Sequence, residues 1–145
     1  MKKIILFIIC NLIVAEDRVF VSCEGNYGYE NGSIWTISDE SAYSFYDNPI
    51  GEVVQSVTVH NDFLYVIVNG SGNIHQYKIT GSGLINENII STNGSGPREM
   101  VVFGDYLYVT NWYSSDVKKI NINTLEVESS IDMPGLPEDI IIHNN

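Results

Sequence analysis

The chain has 145 residues, enough for one domain with its own core and too few for most multi-domain arrangements. Hydrophobic residues make up 44% and charged residues 17%, with nine Tyr, two Trp and twelve Gly, which excludes a disordered chain and matches folded β proteins. A net charge of −11 gives a surface that repels nucleic acid and anionic lipid, so neither is an expected partner.

Lys2-Lys3 is a short basic start, Ile4 to Val14 is apolar apart from Asn11, and Ala15 precedes Glu16-Asp17-Arg18. This pattern predicts a secretory signal peptide over residues 1–15, cleaved after Ala15. The apolar stretch is too short to cross a hydrocarbon core of about 30 Å as a helix, so no stable membrane span is expected. Lipid anchoring at Cys10 is disfavoured, because Phe7-Ile8-Ile9 puts bulky side chains where such a signal wants small ones. Removal of the leader leaves five basic residues against eighteen acidic ones, and Cys23 as the one cysteine. No internal disulfide can then form, and Cys23 is expected to be a small buried strand residue.

Beyond the leader the chain reads as short strands punctuated by Gly and Asn. In chain order the predicted strands are Val19 to Ser22, Ser33 to Ile37, Ala42 to Tyr46, Val57 to Val59, Leu64 to Val68 and Ile74 to Ile79. They continue as Asn88 to Ser91, Met100 to Val102, Leu107 to Asn111, Val117 to Ile122, Val127 to Ile131 and Ile140 to Ile142. Asn31-Gly32, Asn69-Gly70, Gly81-Ser82-Gly83 and Asn93-Gly94-Ser95-Gly96 mark turns where positive φ is tolerated.

The strands repeat. Phe63-Leu64-Tyr65-Val66 recurs as Tyr106-Leu107-Tyr108-Val109, with a weaker copy in Val19-Phe20-Val21; Phe20 to Tyr65 is 45 residues and Tyr65 to Tyr108 is 43. The segments Gln55 to Asp62, Arg98 to Asp105 and Glu138 to Asn145 align in the same way. Four strand signals at this period predict an all-β fold of β-propeller blades, each a four-stranded antiparallel sheet. The units run approximately over 16–56, 57–99 and 100–139, with 140–145 starting a further one. The first strand of each unit is continuously apolar and is expected innermost, covered on both faces.

Tyr106-Leu107-Tyr108-Val109-Thr110-Asn111 followed by Asp116-Val117-Lys118-Lys119-Ile120-Asn121 resembles the YVTN-type repeat of extracytoplasmic seven-bladed propellers. Glu24-Gly25-Asn26-Tyr27-Gly28, Asn31-Gly32-Ser33-Ile34, Gly51 to Ser56, Leu64 to Asn69 and Gly96-Pro97-Arg98 resemble, in that order, the surface-exposed YncE-like propellers of Bacteroidetes-type bacteria. The resemblance implies an extracytoplasmic location, at the periplasm, cell surface or beyond, and some members are implied to capture corrinoids beside an outer-membrane transporter. This chain departs from them in lacking a convincing lipid-attachment signal and in its length, so ligand identity does not carry over.

Propellers close with four to eight blades, so about three make an incomplete ring. A truncated fragment is the plain expectation. The alternative is a homodimer in which Ile140-Ile141-Ile142 pairs with Val19-Phe20-Val21 of a second copy, giving a six-bladed ring.

In a blade, the second-to-third-strand loops and the connections between units lie on one rim. The former carry Tyr27 and Tyr29, then Asn69 and Ser71, then Trp112 and Tyr113; the latter end at Gln55, Arg98 and Glu138, one aligned column expected to converge. Aromatic rings beside amides and charges suit a polar, ring-containing ligand, so Tyr27, Tyr29, Gln55, Arg98, Trp112, Tyr113 and Glu138 are the candidate ligand-binding residues. The plainer alternative packs Trp112 and Tyr113 between sheets. No Gly-x-Ser-x-Gly elbow, His-Glu-x-x-His pair or phosphate-binding glycine loop is present. His60 and His143 share a repeat column on the opposite rim, and the acidic pairs lack calcium-loop spacing, so no metal or cofactor is expected. The expected function is an exported, non-catalytic module capturing a small molecule, glycan or partner protein. The other class is a fragment of a propeller enzyme, of lactonase or lyase type, whose catalytic residues lie in missing blades.

Overall fold

The computed structural model describes residues 17–44 and 48–143. The expected leader, Cys10, the end of the predicted strand Ala42 to Tyr46, and Asn144-Asn145 lie outside those residues.

Among the described residues eleven strands follow one another: β1 Val19–Cys23, β2 Ser33–Ser38, β3 Ser41–Tyr43, β4 Val54–His60, β5 Phe63–Val68, β6 Asn73–Thr80, β7 Gly83–Ser91, β8 Pro97–Phe103, β9 Tyr106–Asn111, β10 Asp116–Asn121 and β11 Val127–Asp132. They form three antiparallel sheets, ordered β1-β2-β3, β4-β5-β6-β7 and β8-β9-β10-β11. A short 3-10 turn, Asn69–Ser71, links β5 to β6. The fold is all-β, and the three sheets form no closed ring among the described residues.

Strand alternation explains how the sheets stack, because successive side chains point to opposite faces. On β5, Leu64, Val66 and Val68 enter a core with Ile34, Val54, Tyr77 and Leu84, against the first sheet. Tyr65 and Ile67 of the same strand enter a second core with Ile74, Ile90, Met100, Leu107, Val109 and Ile120, against the third. β5, in the interior of the middle sheet, is therefore buried on both faces. The repeat keeps this orientation: Leu64 and Leu107 face the preceding sheet, whereas Phe20 and Tyr65 face the following one. Cross-sheet hydrogen bonds add to the packing, from Thr58 Oγ1 to the Met100 carbonyl (3.1 Å) and from Asn69 Nδ2 to the Pro97 carbonyl (2.7 Å).

Several expectations are corrected. Ile140 to Ile142 is not a strand: residues 136–143 have no regular structure, and Ile141 is 82% exposed. A strand needs a ladder partner, and this segment has none among the described residues. Cys23 is exposed, not buried, since it ends β1 beside the outer face of the first sheet. The most buried strand is β5 rather than β4, whose Val59 is half exposed, because β4 lies at one edge of its sheet. β7 starts at Gly83 instead of Asn88, as its ladder with β6 overrides the low β-propensity of Asn86-Glu87-Asn88. β4 and β8 begin three residues ahead of the expected starts at Val57 and Met100, so the unit boundaries at 57 and 100 fall inside strands.

Candidate ligand-binding site

Two β-bulges build the site. Pairing of β4 with β5 slips between Val54 and Ser56, leaving Gln55 as the extra residue, and pairing of β8 with β9 slips between Pro97 and Met100, around Arg98 and Glu99. A bulge re-aims side chains at a strand end, and here both turn toward one rim.

Arg98 is the hub. Its Nε and Nη2 donate to Glu138 Oε1 at 3.1 and 2.6 Å, and Nη1 donates to Gln55 Oε1 at 2.9 Å. The guanidinium carbon lies 4.1 Å from the centroid of the Trp112 ring. The expected column of Gln55, Arg98 and Glu138 thus converges, and Trp112 joins it. Glu138 belongs to the C-terminal segment that replaces the expected strand, and Thr110 Oγ1 sits 3.2 Å from its carbonyl oxygen while accepting from the Glu99 amide at 3.0 Å.

The positive charge of Arg98 is consumed locally. Glu138 pairs with it, and the neighbouring Glu99 carboxyl is raised above its ordinary value by burial first and by repulsion from Asp139 and Glu138, against an opposing pull from the Ser56 hydroxyl. The rim is accordingly a poor anion site. The Trp112 Nε1 is buried and has no hydrogen-bond acceptor among the described residues.

The loop after β9 is held from below. Trp112 and Tyr113 amides donate to the Gly96 and Ser95 carbonyls, both at 2.9 Å, and Ser95 Oγ donates to Asn111 Oδ1 at 2.6 Å. Gly96 has φ +69°, and a Cβ there would fall 2.8 Å from the Tyr113 ring, so glycine is required for this approach. Asp116, buried at the start of β10, accepts from Ser114 Oγ, Lys118 Nζ and Ser130 Oγ. Burial alone would raise its carboxyl, but these three donors together outweigh it and hold the group below its ordinary value.

Tyr27 and Tyr29, 85% and 75% exposed, stand on the β1–β2 loop, and no hydrogen bond or ring contact joins their side chains to the Arg98 group among the described residues. Their loop is fixed by the Gly28 amide donating to Glu52 Oε1 at 2.7 Å. It contributes Glu30 to a separate cleft of about 310 Å³ with Glu52, Gly70, Ser71 and His75. Burial pulls His75 below the ordinary histidine value, leaving a neutral imidazole at pH 7. Glu52, His75, Glu99, Thr110 and Asp116 escaped sequence reasoning. For Glu99 and Thr110 a signal existed, namely their adjacency to the Arg98 and Trp112 columns.

Among the described residues no group of three His, Cys, Asp or Glu side chains is placed to hold a metal ion, and no helix is long and apolar enough to cross a membrane. No protein-family model matches the sequence and no curated protein matches it, so the resemblance to YVTN-type repeats rests on the quoted residues alone.

Proposed function

We propose that the chain is an exported, non-catalytic binding module of β-propeller type, whose ligand surface is the rim gathered by Arg98. The carrying observation is that one guanidinium joins Gln55, Glu138 and the Trp112 ring, from two strand ends, a loop and the C-terminal segment. Binding is favoured over catalysis because the charges at this rim neutralise one another and the Thr110 hydroxyl is committed to backbone groups. The partly buried Trp112 indole, the exposed Tyr113 ring and the half-exposed Glu138 carboxylate suit a neutral or cationic ring compound. The blade reading is supported by the repeated orientation of each sheet toward its neighbours.

The end faces extend this reading. Val19, Val21 and Ile37 on the first sheet, and Tyr108 and Ile131 on the third, occupy repeat columns whose counterparts in the middle sheet, Leu64, Val66, Tyr77, Tyr65 and Ile90, are buried. A second copy stacking its first sheet on this third sheet continues the same packing, and two-fold symmetry closes six sheets into a ring.

The test of the ligand surface is tryptophan fluorescence in a Trp35→Phe background, titrated with neutral glycans, corrinoids and cationic ring compounds. At least one should change Trp112 emission saturably, and calorimetric titration of that compound should show weaker binding to Trp112→Phe and to Arg98→Ala than to the parent. Affinities identical to the parent in both variants would remove this rim from the site.

A further inference from the structure

Pairing of β6 with β7 slips between Gln76 and Tyr77, leaving Glu87 as an extra residue, so that Glu87 and Asn88 both line one cleft of about 320 Å³. The cleft opens between the second and third sheets, on the rim opposite Arg98, with Phe63, Ile122 and Leu125 as its apolar wall. Its inner wall is a chain of polar groups set into an otherwise apolar core. Asn88 Nδ2 donates to Gln76 Oε1 at 2.7 Å, and Gln76 Nε2 donates to Tyr65 Oη at 2.9 Å.

Gln76 and Tyr65 are both at least nineteen-twentieths buried, at 5% and 2% exposure, so their polar atoms must be satisfied locally. The Tyr65 oxygen accepts from Gln76, yet its own proton meets no acceptor among the described residues. Burial raises this phenol above its ordinary value, against a smaller opposing effect of the Gln76 bond, so the proton stays on. A donor at the end of a polarised amide chain is strengthened by the links behind it.

We propose that this cleft is a second binding site, for a single uncharged sugar ring. Tyr65 Oη donates to a ring hydroxyl or glycosidic oxygen, the Asn88 and Glu87 side chains exchange hydrogen bonds with neighbouring hydroxyls, and Phe63 covers the C–H face of the ring. The volume stands at the lower end of small-molecule sites, which fits one ring rather than a chain of them. Anionic ligands are disfavoured by Glu87 and the net charge of −11.

The experiment is an amide NMR titration of the folded protein with methyl α-glucopyranoside, methyl α-galactopyranoside, methyl α-mannopyranoside and N-acetylglucosamine at millimolar concentrations. At least one should shift resonances of Phe63, Gln76, Asn88 and Leu125 together. Tyr65→Phe should weaken that sugar about tenfold, the equivalent of one lost directed hydrogen bond. Asn88→Ala, at an exposed position, should weaken it similarly while removing no buried side chain, although it frees Gln76 Oε1 of its donor. Tyr108→Phe, the same repeat column outside the cleft, should leave it unchanged. Shifts from none of the four sugars, shifts confined to other regions, or undiminished binding by both Tyr65→Phe and Asn88→Ala would overturn the proposal.

Discussion

Replacing Arg98 by alanine removes three interactions at once, and the structure allows their sum to be bounded. The ion pair reaches a Glu138 side chain that is 52% exposed, so it contributes about 0.5 kcal/mol. Stacking on Trp112 adds about 1 kcal/mol, and the hydrogen bond to Gln55 about 1 kcal/mol. These contributions share one side chain and overlap, giving about 2 kcal/mol in all. For a chain of this size that lowers Tm by about 4–8 °C. The change should also free the segment carrying Glu138, so amide exchange around residues 136–143 should quicken, and Trp112 emission should shift to the red in a Trp35→Phe background. Arg98→Lys keeps the charge but loses the planar fork, and should fall between parent and alanine. A Tm within one degree of the parent, with unchanged emission, would refute the role of Arg98 as hub.

Other perturbations test other parts of the structure. Leu107→Ala, at a fully buried position between the second and third sheets, should cost about 2–5 kcal/mol in denaturant unfolding, against a few tenths for the exposed Ile85→Ala. Gly96→Ala combines positive φ with a close approach to Tyr113 and should destabilise by more than about 1 kcal/mol in the same assay. Asp116 is depressed in the fold, so its stabilisation is complete above the ordinary carboxylate range and lost as pH falls through the lower folded value; Asp116→Asn should flatten that limb of the stability–pH curve. His75 is also depressed, and as a base it penalises folding as pH falls below about 6.5, so His75→Gln should remove a loss that begins in that range. Light scattering should give a dimer mass that Val19→Glu and Ile131→Glu each halve, whereas a monodisperse monomer for the parent would dismiss stacking of the end faces.

Much of the strand order was legible because β proteins write it with period two and with Gly and Asn turns. The ranges read for β2, β5, β6 and β10 fall within two residues of the strands, since each is rich in β-branched or aromatic residues and buries at least one face. β7 was half missed, as Asn86, Glu87 and Asn88 carry low propensity and are held by pairing with β6. Ile140-Ile141-Ile142 has the composition of a strand without a neighbour to pair with, so composition misled. For the site, aligning the repeats brought Gln55, Arg98 and Glu138 together on paper. What it could not supply was the stacking on Trp112, because that depends on bulges, which change register by one residue and leave no mark in composition. Tyr27 and Tyr29 share the rim by topology, but proximity also depends on how far their loop reaches.

The indole N–H resonance of Trp112 reports most directly on whether the Arg98 rim binds ligand. A bound ligand should move that resonance with saturation, together with the Gln55 side-chain amide and the Tyr113 backbone, while the Trp35 indole stays in place. Saturable binding that shifts Trp35 or other regions and leaves Trp112, Gln55 and Tyr113 unmoved would contradict the account.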